Sequence, residues 1–89
     1  MPLFAVICRD KPGALQTRMD NRPAHLEYLG RGGVVFAGPF IQAGQPVGSL
    51  VVIEAESPAA AEAWAAADPY ATAGLFAGVE IIEWRKVIG

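Results

Sequence analysis

One cysteine and one histidine are all this chain of 89 residues holds of the two side chains most used for metals and nucleophilic chemistry. Cys8 has no partner for an intrachain disulfide, which fits a reducing cytoplasm. A metal site built on His25 and Cys8 would need carboxylates for its remaining ligands, and none stands at a recognisable spacing, so no metal and no cofactor is expected. No basic run appears, and the formal net charge is -2, which argues against a nucleic-acid partner. No apolar stretch reaches the roughly 18 residues of a membrane span. The opening "MPLFAVICRDKPG" lacks a basic segment before its apolar run and a small-residue cleavage site, so it reads as a strand rather than a leader. There is no GxGxxG or P-loop pattern. "LGRGGVV" follows a helical stretch and precedes a strand, the wrong order for phosphate binding, and reads as a helix stop.

What the chain has is apolar surface. Hydrophobic residues make up 53% and charged residues only 18%, more than one small core hides, so self-association is expected. Four stretches read as strands: "LFAVICR" (3–9), "VVFAGPFI" (34–41), "SLVVIEAE" (49–56) and "VEIIEWRKVI" (79–88), with "QAGQPVG" as the loop between the second and third. "ALQTRMDNRPAHLEYLGRGG" reads as a helix with Leu15, Met19, Leu26 and Leu29 on one face. Pro23 should kink or divide it, and the glycines at 30–33 should end it. A second helix begins at Ser57-Pro58, with Ala60, Ala63, Trp64 and Ala67 on a shared face, and a short third helix is expected over 69–76. The order is β-α-β-β-α-β: a ferredoxin-like α+β domain over residues 1–89, with a four-stranded antiparallel sheet and helices on one face. Val6-Ile7, Val51-Val52-Ile53 and Ile81-Ile82 put apolar side chains on both faces, so a second copy's sheet is expected to cover the open one. Trp64 and Trp84 are assigned to core or dimer surface, and Cys8 to the core as a small hydrophobe.

His25 is the one residue suited to proton transfer near neutral pH, with Arg22 and Arg18 one and two turns earlier on nearly its face. In the expected topology the first and third strands are neighbours, read as parallel, with both crossover helices running the same way above them. That would place the later part of the first helix beside the end of the second, so that Asp68 could orient the His25 imidazole. Asp68-Pro69 is equally a helix cap, and the roles are compatible, because one carboxylate oxygen can cap while the other holds a ring nitrogen. Asp10 is assigned to a turn after the first strand.

"RMDNRPAHLEYL" (18–29), "GPF" (38–40), "DPYATAGL" (68–75) and "VEIIEW" (79–84) together resemble the YCII-related (YciI-like) family along nearly the whole chain. The resemblance implies a dimeric α+β barrel, in which two ferredoxin-like sheets close across a homodimer, and an active site made of a histidine and an aspartate, here His25 and Asp68. On that basis the chain is expected to be a small cytoplasmic, cofactor-independent acid-base enzyme. It would isomerise, or eliminate from, a small cyclic or aromatic-derived compound, with Arg18, Arg22 and Tyr70 as substrate-binding residues. The alternative is a homodimer that binds a small ligand without turning it over. A haem role rests on the wider superfamily alone, which also includes lactone isomerases and monooxygenases, and fold does not choose among these.

Overall fold

A computed structural model describes residues 1–89 and shows the element order read from the sequence: β1 (Leu3–Asp10), α1 (Leu15–Leu29), β2 (Val34–Gln42), β3 (Gln45–Glu54), α2 (Pro58–Ala66), α3 (Pro69–Thr72) and β4 (Phe76–Trp84). The strands form one sheet in the order β2-β3-β1-β4. Every neighbouring pair is antiparallel, including β1 with β3, where Val6 faces Val51. The expected parallel pairing of the first and third strands is therefore overturned. The helices follow the strands. From Arg18 to Tyr28, the partners of α1 run back from Tyr70 to Trp64, so α1 and the α2–α3 segment run in opposite directions. No helix is long and apolar enough to cross a membrane.

Strand ends follow from what is available to pair. The loop expected over "QAGQPVG" shrinks to Ala43-Gly44, with φ of 51° and 76°. Two successive left-handed residues make a turn whose twist matches the flanking strands, so pairing resumes at once with Gln42 opposite Gln45. Pro46 is tolerated because β1 does not reach that far along β3, its last partner being Gly48. Gly48 itself lies so close to β1 that a Cβ would collide with the Cys8 carbonyl. At the far end, β4 stops at Trp84 rather than running to 88, because Trp84 already pairs with Leu3, the first residue of β1. β4 also begins earlier than expected, at Phe76 opposite Asp10. This leaves α3 only four residues, closed by the bond from the Leu75 amide to the Tyr70 carbonyl.

The core lies between sheet and helices: Phe4, Val6 and Cys8 of β1, Val51 and Ile53 of β3, with Ala55, Ala61 and Ala65. Ser57 caps α2 through the Ala60 amide, and Pro58 opens it, as read. The buried face of α2, however, is Ala61 and Ala65 with half-buried Trp64. It is offset by one residue from the face expected from Ala60, Ala63 and Ala67, which stay exposed. Alanine there lets the helix approach the sheet closely.

The larger departure is in α1. Pro23 does not divide it, and its two buried residues are Arg18 and His25. The apolar stripe expected to face the core is instead largely exposed, at Leu15, Met19 and Leu26. The helix has turned its polar side inward, toward α3 and the sheet.

On the face away from the helices, Phe36 of one edge strand meets Trp84 of the other, edge to face at 5.7 Å between ring centroids. Register places Ala5 and Val52 between them, and both are buried. Ile82, on the same face opposite Ala5, remains exposed, and Ile7 and Leu50 are half-buried.

Candidate active site

Asp68 ends the α2 segment and starts α3. Its Oδ1 accepts from the Tyr70 amide at 2.9 Å, the cap expected of an aspartate before proline. The same carboxylate holds His25, with Nδ1 lying 2.8 Å from Oδ1 and 3.0 Å from Oδ2. Cap and imidazole partner are thus one residue, and both side chains are buried. Although the helices run oppositely rather than together, the pairing survives because α2 meets the end of α1 at Trp64 and Tyr28, and Asp68 follows just beyond, level with His25. Tyr70 completes the arrangement: its ring stacks on the imidazole at 3.8 Å between centroids and 14° between planes.

Nδ1 is occupied, while Nε2 has no hydrogen-bond partner in the protein. Every fully buried side-chain nitrogen or oxygen does have one, so Nε2 is not sealed in. His25 lines a cavity of about 370 Å³ together with Arg18 and Arg22, with Met19, Leu26 and Leu29 of the inverted apolar stripe, and with Gly38, Pro39 and Ser49 of the sheet. That volume is at the small end of ligand pockets, suited to a compound the size of one ring.

Arg18 is 4% exposed, so it does not sit on a solvated helix face. Its Nε and Nη2 donate to the two Asp10 oxygens at 2.7 and 2.9 Å, and Nη2 also donates to Ser49 Oγ at 2.9 Å. Burial opposes its charge, but the hydrogen bonds and charge of Asp10 outweigh it, and its pKa is raised. Asp10 is therefore an ion-pair partner rather than a turn residue. The guanidinium also lies 4.7 Å from the Tyr70 ring centroid. Arg22 is exposed at the rim and has no ion-pair partner. Tyr70, expected to bind substrate, is 1% exposed and stands behind His25, outside the cavity lining. Burial, reinforced by Asp68, raises the pKa of its phenol against the opposing pull of Arg18 and Arg22, so it stays neutral at physiological pH.

Sequence reasoning assigned no site role to Asp10 and none at all to Ser49. Asp10 meets Arg18 only through the fold. Ser49 did carry a signal, as the hydroxyl at the head of the apolar stretch "SLVVIEAE".

A family model of the YCII-related domain matches residues 2–85. The chain belongs to the YCII-related family. It is 38% identical to protein YciI of Escherichia coli O6:H1 (strain CFT073), covering 96% of this chain and 98% of that one. It is 33% identical to an uncharacterized protein of Haemophilus influenzae, covering 94% and 97%. Among solved structures, this YCII-related protein superposes on 5-chloro-2-hydroxyhydroquinone dehydrochlorinase from Burkholderia phenoliruptrix AC1100, determined with 2,5-dihydroxybenzoquinone, with a TM-score of 0.87, 36% identity and 93% of each chain covered. An antibiotic biosynthesis monooxygenase matches with a TM-score of 0.60 at 13% identity, a likeness of fold alone.

Cys8 lies in β1 beside this site and is 4% exposed. Burial pushes its thiol up to about 12, with Asp68 and Asp10 adding to the shift and Arg18 opposing it. The native protein therefore keeps this proton where an unfolded chain releases it, from roughly pH 8.5 upward. Stability contributed by the neutral thiol is complete below that pH and declines, by up to about 1.4 kcal/mol per pH unit, until the folded group titrates. Urea unfolding at pH 7.5 and pH 10 should show this decline, and Cys8→Ala should flatten it. An unchanged slope in Cys8→Ala would assign the decline to other groups.

Proposed function

We propose that this protein is a cofactor-independent acid-base enzyme acting on a small, oxygenated six-membered ring. His25 Nε2 takes a proton from a ring carbon or hydroxyl. In elimination, the released electron pair forms a ring double bond and the leaving group departs with its own pair. In isomerisation, the imidazolium returns the proton at a second atom. Neither course needs an oxidant or reductant. Asp68 holds Nδ1–H and stabilises the imidazolium. Arg22, the unpaired cation at the rim, draws in an anionic substrate.

The observation that carries this reading is an imidazole clamped at Nδ1 by a buried carboxylate, with Nε2 left without a protein partner and His25 lining a ring-sized cavity. The dehydrochlorinase likeness supports the substrate class. The test is chloride release from 5-chloro-2-hydroxyhydroquinone together with binding of 2,5-dihydroxybenzoquinone. Release that depends on His25 supports the proposal. Binding without turnover favours a non-catalytic ligand-binding protein, and neither binding nor turnover refutes the proposed ring-compound site.

The working unit in this proposal is a homodimer. A partner's sheet covers Phe36, Ile82 and Trp84, and the reduced Cys8 suits the cytoplasm. Ile82→Asp should yield monomers in sedimentation velocity where the parent protein sediments as a dimer. A parent that is monomeric at micromolar concentration overturns the assembly.

A further inference from the structure

Ser49 is 3% exposed, yet its hydroxyl makes only one hydrogen bond within the protein. A serine hydroxyl offers one donor and two acceptor positions. Arg18 Nη2 donates to Oγ at 2.9 Å, which uses an acceptor position, and the O–H has no acceptor within the protein. Ser49 lines the same cavity as His25. A buried donor without a partner costs free energy unless something satisfies it, and here that something must come from the cavity.

Arg18 determines which way the serine works. A guanidinium can only donate, so Ser49 Oγ must accept from it, and the O–H is left to point elsewhere. Asp10 fixes the guanidinium through Nε and Nη2, which keeps that assignment from changing. The charged donor also polarises the hydroxyl and strengthens its own donation. Arg18 itself is largely neutralised by Asp10, so the expectation that it binds substrate directly gives way to a role as the group that aims Ser49.

We infer that Ser49 is the hydrogen-bond donor to an ionised ring oxygen of the substrate, a phenolate, enolate or vinylogous carboxylate, with Arg18 and Asp10 as its positioning residues. The inference rests on the acid-base reading above and assigns that site its oxyanion contact. When His25 removes a proton, negative charge spreads through the ring onto an oxygen, and a donor already in place needs no reorganisation to meet it. The site therefore takes rings bearing an acidic hydroxyl or carbonyl conjugated to the reacting carbon, and discriminates against rings without one.

Threonine and valine at position 49 have the same shape and differ in the hydroxyl, which makes them the informative pair. Each is placed in the full-length His25→Gln protein, and binding of 2,5-dihydroxybenzoquinone, whose hydroxyls are vinylogous carboxylic acids and are ionised at neutral pH, is followed by visible absorbance. Ser49→Thr should bind within about threefold of the His25→Gln parent, and Ser49→Val should lose about tenfold or more, the range for a hydrogen bond to a charged group. The absorbance shift on binding should also be smaller in Ser49→Val. Equal affinities for the two variants, both folded by circular dichroism, overturn the inference. Should the added methyl prevent folding of either, Ser49→Ala against the parent is read by the same criterion. Binding is measured without turnover, so a failure of His25 as the catalytic base leaves this comparison intact, and a failure of Ser49 leaves the chloride assay intact. If 2,5-dihydroxybenzoquinone binds only with His25 in place, the same pair is compared there; if it binds with neither residue at position 25, this assignment is overturned.

Discussion

His25→Gln should reduce turnover by about 10² to 10⁴-fold, the usual contribution of a positioned acid-base group, while leaving fold and ligand binding near those of the parent. Glutamine is the informative replacement. Its amide nitrogen can still donate to the Asp68 carboxylate, so the buried acid keeps a partner, and its chain fills much of the space in front of Tyr70. What it lacks is a basic nitrogen at the cavity. Alanine would leave Asp68 short of a hydrogen bond and mix a stability loss with the chemical one. The measurement is chloride release under single-turnover conditions beside a binding titration. A variant that binds normally and turns over normally would remove His25 from the chemistry. Loss of binding in proportion to activity would make it a ligand contact only.

Asp68→Asn and Asp68→Ala separate the two duties of one carboxylate. Asparagine can still accept from the Tyr70 amide, so the α3 cap largely remains. Toward His25 the change reverses the chemistry. The capping oxygen, Oδ1, is also the nearer partner of Nδ1 and could still accept from it, but the NH₂ that replaces Oδ2 beside the ring can only donate and favours the tautomer in which Nδ1 accepts and Nε2 carries the proton. The base is then blocked although every atom sits near its former place. Activity should fall by about 10²–10⁴-fold for a stability change of about 1 kcal/mol or less. Asp68→Ala removes cap and partner together and should cost about 2–4 kcal/mol as well as activity, read by urea unfolding. If Asp68→Asn keeps full activity and Asp68→Ala loses only stability, the residue is a cap and no more.

The sequence made the order of elements legible because strand and helix periods differ plainly and because Ser57-Pro58 and Asp68-Pro69 are strong helix starts. The His25–Asp68 pairing was reached through an orientation that the structure reverses: the strands alternate in direction and the helices run oppositely, with Tyr28 against Trp64 and His25 against Asp68 just beyond the end of α2. What stayed hidden was the facing of α1. Its apolar residues at helical spacing look like a core stripe, yet Met19, Leu26 and Leu29 line a cavity while Arg18 and His25 lie beneath. A hydrophobic pattern reports a face that avoids water. It does not say whether protein or ligand will cover it. The Asp10–Arg18–Ser49 cluster was hidden for another reason, since its members meet across strands and helix with no spacing to reveal them.

Tyr70 binds the carboxylate through its backbone amide and the imidazole through its ring. A single position thus governs both members of a dyad whose other links run between separate helices. Substitutions at 25, 68 and 70 will consequently fail to add, and a double-mutant cycle on His25 and Asp68 alone will report a coupling energy that includes this third residue.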